Sequence, residues 1–145
     1  MASNQSNKMK FPEDLRYTRE HEWVKLTDET TADGKRVALV GITDFAQSEL
    51  GELVYIEVET VGEKLAKDEI FGTVEAVKTT SDLFMPISGE VLEFNDAISE
   101  SGGDDPALIN NDPYGKGWII KIVPSDEAEI DQLLDAAAYK ELTAH

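Results

Sequence analysis

Cysteine is absent from this chain of 145 residues, so no disulfide framework, thiolate nucleophile or cysteine-based metal site can form. Histidine is almost as scarce: His21 and the terminal His145 are the only two, which leaves too little for a Ser-His-Asp relay or a multi-histidine zinc site. His21, between Glu20 and Glu22, reads as a solvated or capping histidine rather than a metal ligand. No apolar run approaches the roughly 18 to 20 residues that a membrane span requires. Nothing resembling a phosphate-cradling glycine-rich loop is found, and catalysis by the chain's own side chains is not expected.

Basic residues are also few. Lys and Arg number 13 against 30 Asp and Glu, a net charge of −17. Such a surface repels phosphates, which argues against nucleic acid and anionic membranes as partners. The acidity reads either as a solubilising coat or as a field that steers in basic partners. Met1 to Lys10 is polar and without periodicity, and is expected to be a flexible tail (1–10) ahead of one domain over 11–145. That tail has no apolar signal core and no Arg-rich amphipathic pattern, so a bacterial cytoplasm is the expected setting, with the mitochondrial matrix as the alternative.

What the chain does have is a succession of short strand-like runs. Glu22 to Leu26 alternates as a half-buried strand does, Asp33-Gly34 signals a hairpin turn, and Arg36 to Ile42 returns as the partner strand. Thr43-Asp44 opens a short helix that Gly51 stops. Leu53 to Val58, Val61 to Leu65, Val91 to Asn95 and Gly117 to Val123 continue the β pattern, and Ser101 to Pro106 is a loop. Val54 and Trp118 read as core positions of their strands. A closing helix is expected over 126–142, with Asp126 and Glu129 at capping-box spacing and Ile130, Leu133, Leu134 and Ala137 on one face. Gly51-Glu52-Leu53-Val54 and Gly89-Glu90-Val91-Leu92 echo one another on either side of the central hairpin.

That hairpin holds the most informative residue. Lys78 is the only basic side chain between Lys67 and Lys116, in a stretch with eleven Asp and Glu. Strand formers precede it from Asp68 to Val74, and a strand broken at Pro86 and resumed after Gly89 follows it. Lys78 is thereby placed at or near a hairpin tip with its amine in solvent.

A tip lysine followed by Pro86-Ile87-Ser88-Gly89-Glu90-Val91 resembles the lipoyl and biotinyl domains. Val77 and Thr79, in place of flanking methionines, favour lipoate. His21-Glu22-Trp23, Gly41 to Gln47, Leu50-Gly51-Glu52, Glu75 to Lys78, Asn110 to Tyr114, Gly117-Trp118 and Leu133 to Ala136 with Tyr139 occur in the order of the glycine cleavage system H proteins. The chain departs from that family's habit at Ala76 and Thr79 and in a longer acidic loop, Ser101 to Asp105.

The resemblance implies a mainly β (α+β) fold, a flattened β-barrel or barrel-sandwich hybrid of lipoyl-domain type with a short internal helix and a C-terminal helix. It implies a non-catalytic carrier with lipoate amide-linked to Lys78. Implied partners are a pyridoxal-phosphate glycine decarboxylase, a tetrahydrofolate-dependent aminomethyltransferase, an FAD-containing dihydrolipoamide dehydrogenase, and a lipoyl ligase or lipoyl/octanoyl transferase. The aminomethyl group of glycine would travel on the arm from the first to the second, and the third would reoxidise it. In such carriers the loaded arm folds back onto an acidic residue; Glu22 matches that role, and Asp82 beside the hairpin is a second candidate. Two other readings stay open: a relay that passes lipoate to other complexes, and an unmodified β-barrel interaction domain.

Overall fold

The computed structural model describes residues 9–144. Most of the tail expected over 1–10 therefore lies outside the described residues. Its last residue is tied down, because Lys10 N–H donates to Asp44 Oδ2 at 3.1 Å and Tyr114 Oη–H to the Lys10 carbonyl at 2.8 Å.

Two antiparallel sheets carry the fold. The larger is built from β1 (Arg16–Tyr17), β2 (Glu22–Thr30), β3 (Arg36–Ile42), β5 (Lys64–Leu65), β8 (Gly89–Phe94) and β9 (Ile120–Pro124), in the order β1-β2-β3-β9-β8-β5. The smaller runs β4 (Leu53–Glu57), β6 (Ile70–Ala76), β7 (Thr80–Phe84), with β6 in the middle. The sheets face one another without closing into a continuous barrel. Val24, Val40, Val91 and Ile122 of the larger meet Ile56, Phe71, Val74 and Leu83 of the smaller in one apolar core. This is the barrel-sandwich architecture that the resemblance implied.

The first half of β2 differs from simple alternation, because both its faces are covered. Val24 enters the main core, while Trp23 enters a second cluster with Leu15, Tyr17, Ala136 and Tyr139. Trp23 lies flat over its cross-strand partner Gly41, where an added Cβ would stand 2.8 Å from the indole ring. Only glycine allows that approach.

α1 (Asp44–Leu50) is capped by Thr43, whose hydroxyl accepts from Ala46 N–H, and ends at Gly51 with φ +81. A short helix, α2 (Ala107–Asn111), follows the acidic loop and was not expected. The closing helix is broken. A 3-10 helix (Glu127–Gln132) precedes an extended step, and α3 (Ala136–Thr143) starts afresh on Asp135. The break has a physical cause: Leu134 pairs with Tyr17 through hydrogen bonds of 2.9 and 3.0 Å, which no helical residue could make. The apolar spacing across this segment serves two cores, since Ile130 and Leu133 join the main one and Ala136 and Tyr139 the second, while Ala137 is exposed. Glu129 accepts from Ser88 N–H at 2.8 Å, tying the 3-10 helix to the turn between β7 and β8.

Two core expectations fail. Val54 is 43% exposed, because a register shift between Leu53 and Tyr55 interrupts the alternation of β4 and leaves Leu53 and Ile56 facing the core. Trp118 precedes β9 rather than lying within it and is only half-buried, against the second cluster with Lys121 Nζ 5.4 Å from its ring.

Candidate functional site: a tip lysine beside an acidic-floored cleft

Lys78 occupies the connection between β6 and β7, and its side chain is exposed. The turn is narrow: Ala76 N–H donates to the Thr79 carbonyl at 2.7 Å. It is also docked, because Val77 N–H donates to the Glu52 carbonyl at 3.0 Å. Asn110 of α2 stiffens that support by donating to Gln47 Oε1 and the Gly51 carbonyl while accepting from Leu53 N–H. The lysine's aliphatic part lies over Gly51, so an added Cβ there would be 3.6 Å from Lys78 Cε and 4.0 Å from Nζ. The amine thus projects from a rigid ledge at the C-terminal end of α1.

Beside that ledge opens a cleft of ≈ 260 Å³ between α1 and the free edge of β7. Its walls are apolar, from Ile42, Phe45, Leu50, Val74 and Leu83. Glu20, Glu22, Glu49 and Asp82 supply four carboxyl groups. Both acids singled out from the sequence, Glu22 and Asp82, therefore line one cavity, Asp82 at its exposed rim and Glu22 deep within it.

Glu22 is only 2% exposed. Its Oε1 accepts from the Thr18 hydroxyl at 2.8 Å and its Oε2 from Phe84 N–H, on the edge of β7, at 3.2 Å. Among the described residues it has no cationic partner. Burial therefore outweighs the two hydrogen bonds and raises its carboxyl to about 8. A buried carboxyl without a counter-ion is costly to ionise until a cation arrives. Such a floor has the chemistry to accept a positively charged group.

His21 also lines this cleft, contrary to its reading as a solvated or capping residue. Its φ is +75, its Nδ1 is 2.8 Å from Tyr139 Oη, and its ring centroid is 5.0 Å from that of Phe45. Burial lowers its affinity for a proton, with Glu20 and Glu49 opposing. Thr18, Asn110 and Tyr139 were not singled out as site residues; Asn110 and Tyr139 act through long-range contacts that local patterning does not reveal, whereas Thr18 reaches Glu22 only four residues further along the chain.

A barrel-sandwich fold with an exposed hairpin lysine defines a carrier-type domain of the lipoyl class. The glycine cleavage H-protein family pattern matches residues 15–145. A glycine cleavage system H protein of Chlorobium limicola is 53% identical over 92% of this chain and 98% of its own length. Its counterpart in Bacteroides thetaiotaomicron is 50% identical over 91% and 96%. The crystal structure of a glycine cleavage system H protein from Mycobacterium marinum superposes with a TM-score of 0.77 at 39% identity, covering 92% of this chain and 99% of that one. This chain belongs to the glycine cleavage H-protein family.

Proposed function

We propose that this protein is a lipoyl carrier whose arm is amide-linked to Lys78 and, when loaded, rests in the cleft with its cationic end at Glu22. When bound, lipoate would supply a disulfide that accepts the aminomethyl fragment of glycine reductively from a pyridoxal-phosphate decarboxylase, yields it to a tetrahydrofolate-dependent aminomethyltransferase, and is reoxidised by an FAD-containing dihydrolipoamide dehydrogenase. The observation that carries this reading is the pairing of an isolated, exposed lysine with a buried, cation-free carboxyl at the floor of an apolar cleft next to it.

The residues fit such an arm. From Thr80 to Phe84 the edge of β7 runs about 13 Å at roughly 3.3 Å per residue, a length suited to an extended aliphatic chain between the tip and Glu22. Apolar walls receive the chain and exclude water, and Glu22 holds the ammonium through a charge-assisted hydrogen bond. Asp82 sits at the rim, where it attracts the same charge on entry. The rigid ledge keeps the amine accessible to a lipoyl ligase or transferase, and the sequence offers no other lysine between Lys67 and Lys116 to compete. Residues 11–145 act as one carrier unit. The bacterial relatives support a bacterial cytoplasmic setting.

Intact mass spectrometry tests the reading directly. Treatment with a lipoate ligase, lipoate and ATP should add one lipoyl group, which peptide mapping should place on Lys78. No adduct, or one on a different lysine, would overturn it.

A further inference from the structure

His21 stands in a hydrogen-bonded chain whose direction can be worked out. Ala46 N–H donates to Thr43 Oγ1 at 3.1 Å. The Thr43 hydroxyl is fully buried and must place its own proton; Tyr139 Oη, 2.7 Å away, is the neighbour within reach. Tyr139 is also fully buried and held protonated by that burial, so its proton goes on to His21 Nδ1 at 2.8 Å. With the chain in this order every donor is satisfied. The reverse order, begun by an Nδ1–H, would leave the Thr43 proton without an acceptor. The backbone supports the same ring position: φ of +75 is a region that histidine tolerates better than most residues. His21 N–H donates to the Thr18 carbonyl and its own carbonyl accepts from Thr43 N–H.

We propose that His21 is a specificity-determining residue of the cleft, held by the Thr43–Tyr139 relay as a neutral imidazole with its proton on Nε2, so that Glu22 stays free for a cationic arm end. The proposal rests on the carrier reading above and extends it. A protonated His21 would place a second cation in the cleft, where it would pair with Glu22 and repel an incoming ammonium. Of the acids facing the ring, Glu20 on its own turn and Glu49 of α1 favour protonation; Asp82 and the buried, protonated Glu22 also line the cleft. The relay from α3 and the packing of Phe45 oppose them. The C-terminal helix thereby sets the charge of a cleft that it does not line.

The tautomer can be read on the unmodified protein by imidazole nitrogen NMR, with His145 the only other histidine to assign. Nδ1 should remain an unprotonated acceptor from about pH 8 down to about pH 5, across the range in which an ordinary histidine titrates. A protonated Nδ1, or ordinary titration, would overturn the relay. Tyr139→Phe keeps the ring and deletes only the hydroxyl; its His21 should begin to titrate. For the lipoylated, aminomethyl-loaded protein, the lifetime of Tyr139→Phe relative to the parent should match at about pH 8 and fall about tenfold at about pH 6 through charge repulsion in the cleft. Adding His21→Asn, a residue suited to the same backbone region, should restore the low-pH lifetime. An equal loss at every pH, or no rescue, would reduce Tyr139 to a packing residue and overturn the proposal. Failure of the parent protein to accept lipoate on Lys78 would remove the carrier reading and with it the cationic occupant, whereas normal lipoylation with a protonated Nδ1 would remove only the relay.

Discussion

The hairpin tip and the cleft floor solve opposite problems within one site. At the tip, Val77 is 71% exposed and Lys78 projects from a turn held by main-chain hydrogen bonds. At the floor, Glu22 is 2% exposed, and the Thr18 hydroxyl and a main-chain N–H of the edge strand β7 converge on its carboxyl. An amine that a foreign enzyme must modify has to be accessible, and its ordinary chemistry suffices once it is presented. A carboxyl that must discriminate a cationic guest from water has to be dry, and dryness needs many residues. On the carrier reading proposed above, one side chain makes the address, whereas the whole fold makes the receptacle.

Lys78→Arg breaks the comparison at the tip most completely. Guanidinium stays protonated and is a poor nucleophile, so lipoylation should vanish while the melting temperature is unchanged. Intact mass and calorimetry check both halves; residual lipoylation would place the arm elsewhere.

Glu22→Gln attacks the floor instead. Lipoylation and reoxidation should proceed, but a charged hydrogen bond of roughly 1.5 to 3 kcal/mol is lost, so the loaded intermediate should release ammonia and formaldehyde about ten to a hundred times faster. The same variant, in the unlipoylated protein, tests the electrostatics of the cleft. The Glu22 carboxyl is raised from 4.5 to about 8 on folding, so the folded state retains a proton that the unfolded chain releases between those values. This group's contribution to stability is complete below the lower value and is lost as the pH rises through the upper one. Glu22→Gln should therefore gain in melting temperature relative to the parent as the pH is raised from about 5 to about 8. A constant difference would mean that Glu22 is ionised throughout.

The last comparison lies within β4, beneath the hairpin. Ile56→Ala, on the buried side, should cost about 2 to 5 kcal/mol in denaturant unfolding. Val54→Ala, two residues earlier on the outward side, should stay within about 0.5 kcal/mol. Equal costs would show that a further layer covers Val54.

Local chemistry was enough for the β-rich architecture, the Arg36–Ile42 strand, the Thr43 cap with the Gly51 stop, and above all Lys78, since an isolated amine among acids between two strand patterns depends only on neighbours in the chain. Glu22 and Asp82 stood out as acids through family resemblance, but their meeting in one cleft required β7 to pack across from β2 and α1. The closing helix was misjudged because period 3.6 records which residues are buried and not against what. Leu133 and Tyr139 point into different cores, and the strand-like bridge from Leu134 to Tyr17 divides them. Val54 was misplaced for a related reason: by alternation it shares a face with buried Ile56, and the register shift between Leu53 and Tyr55 that sets them apart is not legible in the apolar pattern. His21 and its relay were invisible in the sequence because Tyr139 lies 118 residues away. Chain neighbours determine turns, caps and the display of one lysine; burial, and with it the proton affinity of Glu22 and His21, is decided only when distant segments exclude water together.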